Sequence, residues 1–113
     1  MCIYKNRIHK GTLGKRMERY FEWDDKKAKS NFRKHGISFE EAALAFDDPL
    51  AVSKHDRIED GEQRWQTIGM ADDCLLLLVA HTVCLEESGA EVVRIISARR
   101  LVRKERRRYE QHG

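Results

Sequence analysis

The chain has 113 residues, 41% of them hydrophobic and 36% charged, which fits one domain with a modest core and excludes two independent cores. No apolar run approaches the ~18 residues of a membrane span, and residues 74–82 and 92–98 are too apolar for a disordered chain. The net charge of +3 hides a segregation: +5 over residues 1–20, −8 over 21–93 and +6 over 94–113, so a local positive field suited to phosphate coexists with an acidic middle.

Residues 1–16 are basic, contain two glycines and show no sustained period, so they are expected to be a flexible extension. Either they form a functional basic arm, or Met17 is the natural start; the remainder, 17–113, reads as the single domain. From Met17 to Trp23 the alternation predicts a strand. A helix follows over 25–35, with Asp24 at its N-cap and Gly36 as its left-handed stop. Ser38 and Glu41 form a capping box that opens a second helix, with Ile37 placed to staple onto Ala42 and Pro49 beyond the helix end.

From Leu50 the period moves toward two. Strands are expected near 50–55, 63–70, 74–84 and 91–97, with a polar loop from Asp56 to Glu62 and turns at Asp72-Asp73 and Glu87-Ser88-Gly89. A last helix is expected over 98–110, with Ser97 as N-cap. The fold class is α+β, in the order β-α-α-β-β-β-α, with an antiparallel sheet of about four strands, two N-terminal helices and one C-terminal helix. Cys2, Cys74 and Cys84 have no C-x-x-C spacing and cannot all pair, which points to the reducing cytoplasm and away from a closed zinc site. The basic N-terminus has no apolar segment behind it that would make a secretory signal.

Two-residue turns at Asp72-Asp73 and Glu87-Ser88 would put Arg64 opposite His81 and His81 opposite Arg94, one row across three strands. Three cationic or titratable groups so close repel one another unless an anion completes the row, and a phosphodiester fits because arginines offer paired donors. The bland reading pairs each with an acid, of which Glu105, on the apolar face of the last helix, is the best placed. Arg99 and Arg100 would open that helix, where free N–H groups favour anions. Lys34 and His35 end the first helix, either as ordinary capping cations or as groups that reach the sheet for phosphate binding or proton transfer. Trp23 and Trp65 read as core residues, with base stacking the alternative for Trp65.

These segments resemble the BrnT family of bacterial toxins, relatives of RelE-type ribonucleases. The likeness spans about residues 20–110 and is carried by Phe21-Glu22-Trp23-Asp24 with Lys27, the run from Lys34 to Ala42, and Phe46-Asp47-Asp48-Pro49-Leu50. It continues with Arg64, Ile68-Gly69, His81-Thr82, Arg94-Ile95-Ile96-Ser97-Ala98-Arg99, Glu105 and Tyr109. The N-terminal extension and the acidic turn around Glu86-Glu87 depart from the pattern.

The resemblance implies a RelE-like fold and a cytoplasmic type II toxin that degrades RNA, inhibits translation and arrests growth. It also implies neutralisation by a BrnA-like ribbon-helix-helix antitoxin, with operator DNA engaged only through that partner. The expected chemistry is attack of a ribose 2′-OH on the adjacent phosphate, without metal or cofactor. Arg64, His81, Arg94 and Arg99 are the candidate catalytic residues. Lys34, His35, Ser97 and Arg100 are the candidate RNA-binding residues. The competing class is a noncatalytic module that binds nucleic acid or antitoxin through the same basic face.

Overall fold

The local signals for the two N-terminal helices translate directly into geometry. The computed structural model describes residues 6–13, 17–72 and 75–112. Helix α1 (Asp25–His35) ends at Gly36, whose φ of 70° is the left-handed conformation that closes a helix cheaply only without a Cβ. Asp24 precedes α1 in extended backbone, but its side chain makes no capping bond. Helix α2 (Phe39–Leu44) opens on the complete capping box: Glu41 N–H donates to Ser38 Oγ at 3.0 Å, and Ser38 N–H donates to Glu41 Oε1 at 3.0 Å. A single 3-10 turn, Ala45–Asp47, carries the chain out of α2.

Six strands form one sheet: β1 (Asn6–Leu13), β2 (Met17–Trp23), β3 (Val52–Glu59), β4 (Glu62–Asp72), β5 (Leu75–Leu85) and β6 (Glu91–Arg100), in spatial order β1-β2-β6-β5-β4-β3. The α+β class holds, with two corrections to the expected sheet. It has six strands rather than about four: the segments expected near 17–23, 50–55, 63–70, 74–84 and 91–97 all join it, and residues 6–13 add another by pairing along β2 from Asn6 opposite Trp23 to Leu13 opposite Met17. Backbone pairing with an otherwise open strand edge orders a segment whose composition carries no period. The sheet is also mixed, since β6 runs parallel to β2. The two helices carry the chain from β2 to the far edge, and the meander β3-β4-β5-β6 returns with its last strand in the direction of β2.

The expected polar loop shrinks to a tight turn at Asp60-Gly61, both with positive φ (53° and 79°), because β3 continues through Asp56 by way of a bulge. At the other end, β6 runs on to Arg100 and the last helix, α3 (Arg103–His112), starts later than expected. Ser97 therefore pairs with Ala80 inside the sheet and caps nothing, and Arg99 and Arg100 are strand residues opposite Leu78 and Leu77. Glu105 takes over at the helix start, its Oε1 accepting from Val102 N–H at 3.0 Å.

Alternation along β5 splits the core between two faces. Leu77 and Val79 pack with Phe21, Trp23, Phe39, Ala42 and Val93 under α2, while Leu76 and Leu78 pack with Ile68 and Tyr109 of α3. Asp48 links the layers by accepting from Leu50 N–H, Met70 N–H and Tyr109 O–H. Its burial raises the carboxyl pKa, but those three hydrogen bonds outweigh that and hold it below the ordinary value. Among the described residues no helix is long and apolar enough to cross a membrane.

Gly69 marks the closest approach of these layers: a Cβ there would lie 2.3 Å from the Ala45 carbonyl oxygen. Because the obstacle is backbone, Gly69→Ala is expected to cost roughly 1–3 kcal/mol by forcing the 3-10 turn off β4. Thermal unfolding of the two proteins checks this.

Candidate functional site

Arg64 on β4 and Arg94 on β6 share one row of the sheet, as expected, but Thr82 lies between them rather than His81. Thr82 pairs with Arg94, and one step from the Trp65–His81 pair puts Arg64 opposite Thr82. The row continues outward to Glu22 on β2, opposite Arg94, and to Arg57 on β3, opposite Arg64. It lies on the α3 side of the sheet, beyond the helix. The arginine side chains are only 15% and 20% exposed, so their aliphatic stems are sunk into the face and their guanidinium groups are held near it.

Two carboxylates flank the pair, both delivered by the β3–β4 turn. Arg94 Nη2 donates to Glu62 Oε1, and Arg64 Nη2 lies 3.5 Å from Glu59 Oε2. The hydrogen bond from Arg94 is the main cause holding the Glu62 carboxyl below its usual range; partial burial opposes it, and the charges of Arg94, Arg64 and Lys27 reinforce it. Arg64 Nε is buried with no hydrogen-bond partner among the described residues, while Glu22 is fully buried beside Arg94 in the row. The face thus gathers Arg57, Arg64 and Arg94 with one buried carboxylate, Glu22, and two half-exposed ones, Glu59 and Glu62. Period-two spacing could have found Glu62, two residues before Arg64 and therefore on its face.

His81 leaves the row because the register differs by one residue, which turns a strand side chain to the other face. It is 3% exposed there, edge-on to Phe46, with Nε2 2.7 Å from Thr67 Oγ1, whose oxygen lies 2.6 Å from Ser53 Oγ. Burial is the main reason its pKa falls to about 4; the Thr82 carbonyl, 3.4 Å from Nδ1, opposes that shift, and the charge of Arg19 adds to it. The ring is therefore neutral at pH 7 and packs as a core group.

An unfolded histidine titrates near 6.5, so between that value and about 4 the unfolded chain binds more protons than the native one. Stability present above pH 6.5 is lost as the pH falls through this window, by on the order of 3 kcal/mol in full. Melting temperature should drop between pH 6.5 and 5, above the range where carboxylates dominate, and His81→Gln should flatten that slope.

Arg99 lies on the same face as Arg64 and Arg94, but it is tied to α3. Its Nη1 and Nη2 donate to the two carboxylate oxygens of Glu105 at 2.9 and 2.7 Å, the acid that the sequence offered as a structural partner. This paired bond raises the Arg99 pKa and lowers that of Glu105. With β6 continuing past it, Arg99 does not sit at a helix N-terminus, and neither does Arg100, which is exposed and faces away. Ser97 is half-buried on the arginine face. Lys34 and His35 are exposed in the last turn of α1, and no contact joins them to the arginine pair among the described residues. Trp23 is core, whereas Trp65 is half-buried against His55.

The family model described as the ribonuclease toxin BrnT of type II toxin–antitoxin systems matches residues 23–105. The structure is similar to the Brucella abortus ribonuclease toxin BrnT, known from a 1.1 Å crystal structure, with 26% identity and a TM-score of 0.50 over 72% of this chain and 94% of that one. No curated protein matches the chain.

Proposed function

Because this chain belongs to the BrnT family of ribonuclease toxins of type II toxin–antitoxin systems, we propose that it cleaves RNA on the open α3-side face of the sheet, with Arg64 and Arg94 holding the scissile phosphate. The observation that carries this is their common row: two half-sunk guanidinium groups, flanking Thr82, on a face that α3 covers only in part.

The chemistry asks for positive charge where charge grows. As the 2′-oxygen attacks phosphorus and the bond to the 5′-oxygen breaks, the nonbridging oxygens gain charge, and fixed donors stabilise that gain without reorganising. An incoming phosphate competes with the Glu59 and Glu62 carboxylates, the more exposed members of each pair, for the same guanidinium donors. Arg99 and Ser97 extend the same face and bind flanking backbone, and Lys34, His35 and Arg100 add diffuse electrostatic contacts. His81 takes no part in proton transfer, being buried on the opposite face. The reaction needs no metal, the RNA lost is cytoplasmic message whose destruction stops translation, and a ribbon-helix-helix antitoxin holds the toxin inactive and brings it to operator DNA.

The test is purified protein with single-stranded RNA in excess EDTA. Cleavage to fragments with 2′,3′-cyclic phosphate and 5′-hydroxyl ends is expected. RNA that is bound yet intact rejects catalysis and leaves the noncatalytic module; cleavage only after divalent metal is restored rejects the metal-independent mechanism.

A further inference from the structure

The face opposite the arginine row holds a different kind of surface. Where the N-terminal helices stop short of the sheet end, an open cleft of about 700 Å³ runs between the 3-10 turn and the β3–β4 hairpin. Phe46, Trp65, Val83 and Leu85 line it, with His81 at the bottom. Val83 and Leu85 alternate with the outward residues of β5 and so turn toward the cleft, yet Leu85 is 64% exposed. Large apolar side chains grouped in a concavity, rather than scattered, mark a surface that a partner covers.

The turn beside this cleft is acidic. The β5–β6 turn brings Glu86 and Glu87 directly after Leu85 at this end of the sheet, and Glu91 at the start of β6 lines the cleft. Arg19 answers Glu91 at 2.7 Å. A polypeptide with an apolar anchor between lysines or arginines complements both the cleft floor and the acids of the β5–β6 turn.

We propose that the antitoxin docks in this cleft, seating an aliphatic or aromatic side chain against Trp65, Val83 and Leu85 from a segment whose basic residues meet the acidic turn. The proposal rests on membership of a toxin–antitoxin family and on this surface, and is independent of where RNA is cleaved. It also gives the acidic turn at Glu86-Glu87 a role in choosing the partner.

The test measures binding of the intact chain to the full-length antitoxin encoded with it, by calorimetry, for the native protein, Leu85→Lys and Glu87→Lys. Both positions are exposed and outside the arginine row, so melting temperature and RNA cleavage should be unchanged. Kd should rise tenfold or more for each, and hydrogen exchange of the native complex should show protection over residues 62–66 and 81–85. Unchanged Kd for both variants overturns the proposal, as does protection confined to residues 94–108. A shift in RNA affinity would assign the cleft to RNA, and a change in the mass of the toxin alone would assign it to a second copy. Should the native chain fail to cleave RNA, the catalytic reading falls while these binding readouts still decide the docking site.

Discussion

Arg94→Ala should lower the single-turnover rate of RNA cleavage by roughly 10²–10³-fold, the usual loss when one preorganised donor to a developing oxyanion is removed. Affinity for the same RNA should fall far less, with the dependence of log K on log salt becoming shallower by about one. Arg64→Ala should behave likewise. The contrast between rate and binding separates catalysis from simple attraction, because a module that only binds would lose affinity and have no rate to lose. Arg94 also faces Glu22, fully buried opposite it, so alanine removes a cation beside a buried acid and lowers stability as well. Arg94→Lys answers that objection. It keeps the charge near Glu22 and Glu62 but lacks the planar fork, and it should restore melting temperature while leaving cleavage impaired. Native rates in both alanine variants would remove the row from the mechanism.

The same row shows how much of the site is legible in the sequence. Both turns differ from the expected two-residue loops, since Asp72 still belongs to β4 opposite Leu75 and Glu86 N–H donates to Ala90 O across a longer β5–β6 turn. Each register is off by one residue: Trp65, not Arg64, faces His81, and Ile95, not Arg94, faces it from the other side. The two offsets cancel between the outer strands, so the arginines stay together while the middle residue changes from His81 to Thr82. Strand alternation makes side-chain identity on a face a parity question, and parity depends on turn length and on bulges such as the one between Met70 and Asp72. Neither is encoded in period-two spacing. Capping signals fared better, because the Ser38–Glu41 box and Gly36 act within a few residues and need no register. The start of α3 depends on pairing in the same way: Ser97 is a good cap in isolation, but pairing along β5 holds the strand through Arg100, and Glu105 satisfies the helix start instead. Glu105 was legible for its other role, as the acid for Arg99.

Asn31→Ala should be the most destabilising single substitution outside the apolar core, at roughly 3–5 kcal/mol, a large share of the 5–15 kcal/mol typical of a domain. Beyond Arg94 the β6 strand has no β2 neighbour in the register, and Asn31 of α1 occupies that open edge like a short strand. Its Oδ1 accepts from Ala98 N–H at 3.0 Å, while Nδ2 donates to Ala98 O at 2.9 Å and to Ile37 O at 3.1 Å. The amide orientation is fixed by the partners, since an N–H needs an acceptor and two carbonyls need a donor. Alanine leaves three buried backbone groups without partners, each costing ~1–3 kcal/mol. Asn31→Asp separates this account from a loss of packing. It keeps the acceptor for Ala98 N–H but sets a carboxylate against two carbonyl oxygens, so it should be at least as damaging as alanine at pH 7 and recover in part as acid protonates it. Thermal unfolding at two pH values measures both effects. Because the bonded residue is Ala98, next to Arg99 and four beyond Arg94, loosening this edge should also lower RNA cleavage at temperatures where the fold persists, through a strand that no longer holds its guanidinium groups in place.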